Sequence, residues 1–228
     1  LDYSFKLAGD QSVVVKFGNQ MNEHTSQTVQ KLSKVIEAKA IIGIEEVILG
    51  YTTLLIHYNP LKITYRDLLT TVDLLIKEMD LSKFKGNNTI EIPVLYGNDT
   101  GPDLADVARI NNLTPDEVID LHTAPFYSVY FLGFSPGFPF LGGLNDKIAT
   151  ERLDSPRNRV YAGSVGIANN QTGIYPVTSP GGWRIIGRTP ISLFNPNSAK
   201  PFLLSPGDTI KFKSVTKKEY DEIIVKQD

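Results

Sequence analysis

The sequence predicts an α+β chain of two domains: a small α/β unit over 1–86, then a β-barrel unit over 87–228. Three observations carry this expectation. Up to residue 86, strand-like runs alternate with two amphipathic helical patterns. From Phe126 on, helical periodicity gives way to short apolar runs separated by Gly, Pro, Asn and Ser, the texture of a barrel or sandwich. Between the two textures lies "FKGNNTIEIPV" (Phe84–Val94), which reads as a junction. The length of 228 residues fits one or two domains.

In chain order, Tyr3–Leu7 alternates, Gly9-Asp10 turns, and Ser12–Phe17 is a β-branched run, so two strands are expected. Asn22 is placed to cap a helix to about Glu37, with Val29, Leu32, Val35 and Ile36 on one face. Glu45–Leu49 and Thr53–Tyr58 read as strands on either side of Gly50. Thr64 and Asp67 have capping-box spacing and open a helix to about Met79, apolar at Leu68, Leu69, Val72, Leu75 and Ile76. Two helices between strand pairs suggest a split-βαβ, ferredoxin-like unit. Pro102–Asn111 reads as helical. Thr114, Pro115 and Glu117 then give N-cap, first-turn proline and capping-box acid for a helix ending at His122. Tyr127–Leu132, Val165–Ala168, Trp183–Ile186, Ile191–Phe194 and Thr209–Phe212 are the candidate barrel strands, the last following the turn in "LLSPGDTIKF".

Composition narrows the function. A net charge of −2 gives no electrostatic reason to expect nucleic acid or an anionic membrane as partner. No apolar run approaches the ~20 residues of a membrane span. The absence of cysteine excludes a thiol nucleophile, a disulfide framework and a thiolate metal site. The N-terminal "LDYSFKLAGD" lacks the basic start and apolar core of a secretory signal, so the expected location is the cytoplasm. The nucleotide fingerprints G-x-x-x-x-G-K-[ST] and G-x-G-x-x-G are missing, as is H-E-x-x-H. The histidines are His24, His57 and His122, two of them far along the chain from the glycine-rich block, so no metal site is expected.

Several segments carry possible chemistry. "AGSVG" (Ala162–Gly166) matches a nucleophile elbow around Ser164. No helix follows it, so a tight turn between strands is the better reading. Of seven arginines, five lie between Arg152 and Arg188, a stretch without lysine. That bias suits planar recognition of carboxylate or phosphate, or buried pairing with an acid. Arg157 and Arg188 are the candidates for recognition, and Arg159 for a structural tie. "SPGGW" turns sharply at Gly181 and Gly182 and sets Trp183 at a strand start, either in the core or against a pocket. His122 suits the helix C-terminus through the helix dipole, and is also a candidate general base. The uncharged "FLGFSPGFPFLGG" (Phe131–Gly143) is too broken for a helix or a single strand.

Taken together, "GPDLADVARINNLTPDEVIDLH", "YSVYFLGFSPGFPFLGGL", "SPRNRVYAGSVGIANNQTGIYPVTSPGGWRIIGRTP" and "LLSPGDTIKF" resemble the family of 5-oxoprolinase B subunits, also called the KipI or allophanate hydrolase subunit 1 family. "LAGDQSVVVKFG" and "ILGYTTLLIHYNP" extend the resemblance over nearly the whole chain. It implies a small α/β domain followed by a cyclophilin-like barrel. It also implies a heteromer with A-type and C-type subunits that hydrolyses 5-oxo-L-proline to glutamate, with ATP as co-substrate. Another branch of the family implies an alternative, inhibition of a sensor histidine kinase. Fold analogy alone suggests a peptidyl-prolyl isomerase. The sequence departs from the family pattern at Glu151, where proline is usual, and at Tyr161, in a segment that usually reads Val-Pro-Ala-Gly-Ser-Val. On this reading His122, Arg157 and Arg188 are the catalytic candidates. Phe134, Pro136, Gly137, Phe138, Phe140, Gly163, Ser164, Tyr175, Gly181, Gly182 and Trp183 line a substrate or partner groove at the barrel mouth. The expectation for the three loop phenylalanines is a mixture, some inward and the rest facing the partner.

Overall fold

A computed structural model describes residues 2–80 and 88–226, so the first part of the expected junction, 84–87, lies outside the described residues. The chain divides into two compact units, Leu1–Gly86 and Asn87–Asp228.

The first unit contains β1 (Ser4–Leu7), β2 (Ser12–Lys16), α1 (Glu23–Lys39), β3 (Ile44–Leu49), β4 (Thr53–Tyr58) and α2 (Tyr65–Glu78). Its sheet runs β1-β2-β4-β3 with every neighbouring pair antiparallel. Strand β4 lies between β2 and β3, so the β2–α1–β3 crossover is split. The Asn22 side chain accepts the Thr25 N–H and starts α1. Thr64 accepts the Asp67 N–H and starts α2. Alternation along β2 and β4 sends Val13, Val15, Leu54 and Ile56 to one face. There they form a single core with Val29, Leu32 and Ile36 of α1 and Leu68, Val72 and Leu75 of α2.

The second unit contains β5 (Thr89–Tyr96), α3 (Leu104–Ile110), α4 (Pro115–Thr123), β6 (Tyr127–Leu132), β7 (Pro139–Gly142), β8 (Arg157–Val160), β9 (Ser164–Ala168), β10 (Gln171–Ile174), β11 (Ser179–Gly181), β12 (Arg184–Arg188), β13 (Thr209–Ser214) and α5 (Lys217–Val225). Seven strands close a barrel in the order β10-β7-β6-β13-β5-β12-β9, and β8 with β11 form a separate two-stranded ribbon. The barrel's first and last strands, β5 and β13, pair in parallel over Thr89↔Thr209 to Val94↔Ser214, and the other barrel pairs are antiparallel. Ile92, Val94, Val129, Leu141, Val165, Ile167, Ile186, Ile210 and Phe212 fill the interior. The capping box at Thr114 and Glu117 forms as the sequence predicts.

Three expectations need correction. The described part of the junction is not a linker, because Thr89–Tyr96 is a barrel strand. Its proline is tolerated for a geometric reason. The Val94 carbonyl accepts from Val215 N–H on the β13 side, so the missing N–H of Pro93 faces the other way. On that side pairing with β12 begins only at Leu95. Ile191–Phe194 is not a strand and contributes only an isolated bridge, Phe194↔Phe202. Helical structure also returns after Phe126, as α5, started by a second capping box at Thr216 and Glu219.

Candidate functional site

The uncharged loop is a hairpin connection. Strands β6 and β7 pair at Phe131↔Phe140 and Leu132↔Pro139. Gly133 N–H donates to the Phe138 carbonyl at 3.0 Å, Phe138 N–H donates to the Ser135 carbonyl at 3.0 Å, and Gly137 supplies a φ of 82°. The three phenylalanines separate by environment. Phe138 is buried, with its ring edge-to-face against Tyr175 and Trp183, both at 5.4 Å. Phe140 is half-buried and stacks on Phe131 at 4.6 Å. Phe134 is 71% exposed and has a φ of 64°. A left-handed backbone costs a large L-residue ~1–2 kcal/mol. Pro136 beside it is exposed, while Gly137 is buried against the loop carrying Phe194 and Phe202.

Behind the loop, Phe138, Tyr175, Val160 and Ile185 form a small core with Phe140 and Trp183 at its edge. Two glycines shape it. A Cβ on Gly173 would stand 2.8 Å from the Phe138 ring, and one on Gly181 would stand 2.4 Å from the Tyr175 hydroxyl. Gly181 lies opposite Arg157 in the ribbon, where the register shifts between Ser179 and Gly181. Gly182, half-buried, accepts the Leu153 N–H at 2.7 Å. Burial raises the Tyr175 hydroxyl above its usual range, an effect partly countered by the Trp183 backbone N–H and by Arg157.

Arg157 is held by a residue that the sequence reading did not single out. Its Nη2 donates to Asp103 Oδ1 at 2.6 Å. The Asp103 carboxylate is buried and also accepts the Ile185 N–H at 2.6 Å, while Asp103 N–H donates to the Ile185 carbonyl at 2.9 Å. The close approach of this segment to β12 needs a glycine: a Cβ on Gly101 would stand 2.0 Å from the Ile186 carbonyl oxygen. Arg157 Nη1 is buried and has no hydrogen-bond partner among the described residues.

Arg188 ends β12, opposite Ser164 of β9. Its Nε donates to the Ala162 carbonyl at 2.8 Å, and its guanidinium lies 5.3 Å from the Tyr161 ring centre. Arg159 lies 4.9 Å from the same ring. Among the described residues, neither arginine forms an ion pair with a carboxylate. Gly163, at φ 82°, and Ser164 are buried at the start of β9, joined to Tyr175 by Gly163 N–H to its carbonyl (2.7 Å) and by Tyr175 N–H to the Ser164 carbonyl (2.9 Å). The sequence "AGSVG" is thus a turn into a strand, not an elbow into a helix.

The structure corrects the reading of His122. The side chain is fully enclosed in the barrel unit, among Tyr96, Tyr127 and Phe212. Thr172 Oγ1 donates its one proton to the Gly166 carbonyl at 3.0 Å, so His122 Nε2–H must donate to Thr172 at 2.9 Å. Nδ1 then accepts from the Tyr96 hydroxyl at 2.7 Å. Burial pushes the imidazole down to about 3. It is neutral at physiological pH, so the helix dipole is not what places it, and it cannot reach an outside substrate as a base. Around Arg157 the structure brings together a guanidinium group, the glycine turn at Gly181 and the Tyr175 ring, and such a set suits holding a small anion.

Comparison with known proteins gives this geometry a context. A family model described as carboxyltransferase domain, subdomain C and D, matches residues 3–204. The chain is 40% identical to the 5-oxoprolinase B subunit of Bacillus subtilis, covering 96% of this chain and 95% of that protein. It is 51% identical over 141 residues to the protein of the same name in Haemophilus influenzae, covering 62% of this chain and 66% of that protein. Against the urea amidolyase of Saccharomyces cerevisiae the identity is 26%, covering 96% of this chain and only 14% of that protein. The crystal structure of TTHA0988 is similar with a TM-score of 0.80 and 33% identity over 90% of this chain, which spans 40% of that longer chain. A conserved uncharacterized protein of Pyrococcus horikoshii is 44% identical with a TM-score of 0.58, covering 95% of this chain and 100% of that one.

The buried imidazole makes a pH prediction. Its folded pKa, about 3, lies below the unfolded value, so the unfolded chain binds the extra proton. The stabilisation is full above about pH 6.5 and is lost as pH falls toward 3, on the order of 4–5 kcal/mol in all. Urea unfolding from pH 7 to pH 4 is expected to give a steep loss in the wild type and a flatter profile in His122→Gln.

Proposed function

The chain belongs to the family of 5-oxoprolinase B subunits, within the carboxyltransferase C and D domains, and from that premise we propose how it works. It is a subunit of an ATP-dependent 5-oxoprolinase, acting with partner subunits of the A and C type. The carrying observation is similarity to the Bacillus subtilis B subunit over nearly the full length of both chains. Relatives bearing that name favour the hydrolase over the kinase-inhibitor alternative. The same module also occurs within much longer chains, the urea amidolyase and TTHA0988, which supports a module that works joined to others. We read the N-terminal unit as ferredoxin-like with its edge strand moved to the front of the chain, and the barrel as cyclophilin-like.

The chemistry explains the need for ATP. A lactam amide resists hydrolysis. Transfer of the γ-phosphoryl group to the lactam oxygen, with release of ADP, makes the ring carbon electrophilic. Water adds there, and the C–N bond breaks with the amine as leaving group, giving an acyl phosphate. A second water releases phosphate and leaves glutamate. The task of this chain is to hold the anionic substrate. Arg157, Arg188 and the backbone at Gly181 and Gly182 supply positive charge and N–H groups for it. We assign ATP to the assembled complex. The exposed Phe134, Pro136 and the half-buried Phe140 give the apolar edge of a face for the C-type subunit, with the chain acting in the cytoplasm.

The deciding experiment is ATP hydrolysis dependent on 5-oxoproline, measured with this chain, with the A-type and C-type subunits from the same genome, and with each component omitted in turn. Activity only in the full mixture is expected; undiminished activity without this chain contradicts the assignment. For the partner face, Phe134→Asn suits the left-handed backbone. It is expected to keep thermal unfolding near wild type while weakening association with the C-type subunit about tenfold or more by calorimetry.

A further inference from the structure

We propose that Arg157 binds the carboxylate of the lactam substrate and that Asp103 is its positioning residue. The inference rests on the oxoprolinase reading and deepens it by naming which substrate group this chain recognises.

Five observations converge. Asp103 takes one edge of the guanidinium through Nη2, and its second oxygen is fixed by the Ile185 N–H, so the fork cannot swing freely. Nη1 has no acceptor among the described residues although it is buried. A charged donor left in that state is costly, which is accounted for if its partner is a ligand rather than the protein. The Arg157 side chain is still 32% exposed, so the group lies at the rim and not in the core. A Cβ at Gly181 would stand 2.4 Å from the Tyr175 hydroxyl, so the glycine makes room for that hydroxyl, a polar group that a ligand at this corner would also meet. The strand over it, β11, is paired with β8 at only two positions, with a shifted register. That ribbon yields to admit a planar carboxylate to Nη1. A carboxylate matches the planar geometry of the fork.

The test uses the assembled complex. For 5-oxoproline, Arg157→Gln is expected to raise KM about 10- to 100-fold with kcat changed much less, the loss of one charge-assisted hydrogen bond. Guanidinium ion added to Arg157→Ala is expected to recover part of the loss. Asp103→Asn is expected to raise KM in the same sense, with Arg157→Lys intermediate. Calorimetric binding of 2-pyrrolidinone, the same lactam without a carboxylate, reads the specificity. The wild type is expected to prefer 5-oxoproline, and Arg157→Gln to lose the preference. Inorganic phosphate as competitor separates a carboxylate site from a phosphate site: stronger competition by phosphate than by acetate at Arg157 overturns the assignment. An active wild-type complex whose Arg157→Gln variant loses kcat at unchanged KM, or binds both lactams equally more weakly than wild type, overturns this inference alone. A wild-type complex without 5-oxoproline-dependent ATP hydrolysis overturns the functional reading together with it. Thermal unfolding of each variant identifies any that fails to fold, and guanidinium rescue then carries the decision.

Discussion

The buried carboxylate of Asp103 is the constraint on which the barrel rim depends. Its backbone and one oxygen grip Ile185 of β12, and its other oxygen grips Arg157 of the outer ribbon. One residue just before α3 therefore ties a barrel strand to the ribbon outside it. A buried ion pair is not stabilising merely by existing, since desolvation offsets much of the attraction. Removing one partner is a different matter, because the uncompensated charge that remains costs about 3–5 kcal/mol. The backbone N–H from Ile185 lowers the desolvation cost on the acid. Among the described residues the arginine has no such compensation at Nη1, and this asymmetry is what gives the rim its chemical character.

The unit uses its polar groups in two opposite ways. Inside, Tyr96, His122 and Thr172 hand protons along a closed chain that ends on the Gly166 carbonyl, and both ring nitrogens are satisfied. Such a network fixes one arrangement and leaves the imidazole neutral. Among the described residues outside it, Arg157 Nη1 is buried without an acceptor, Tyr161 carries two guanidinium groups that form no ion pair with a carboxylate, and Phe134 is exposed in a strained conformation. Strain and unsatisfied charge of this kind cluster at sites where a chain meets a ligand or a partner.

What the sequence revealed and what it concealed follow from the range of the interactions. Asn22, Thr64 and Thr114 were legible as helix starts because a cap is made with a backbone N–H three residues away. The phenylalanine loop was legible because an uncharged loop has to fold against something. Strand β5 was hidden by Pro93, which reads as a breaker until the unpaired side of the strand is known. Asp103 was hidden because its partners are 54 and 82 residues away and no local pattern joins them. His122 was misread for the same reason: its helix position was visible, but the enclosure around it is tertiary. The arginine bias was visible as composition, yet only the structure separated Arg157, pinned and half-satisfied, from Arg188, lying against Tyr161.

Asp103 and Arg157 act as one unit at the rim. A double-mutant cycle measures this directly, with urea unfolding of the wild-type chain, Asp103→Asn, Arg157→Gln and the double variant. The expected coupling energy is about 1.5–3 kcal/mol, with the double variant more stable than the sum of the single changes allows. Effects that add to within about 0.5 kcal/mol would contradict it.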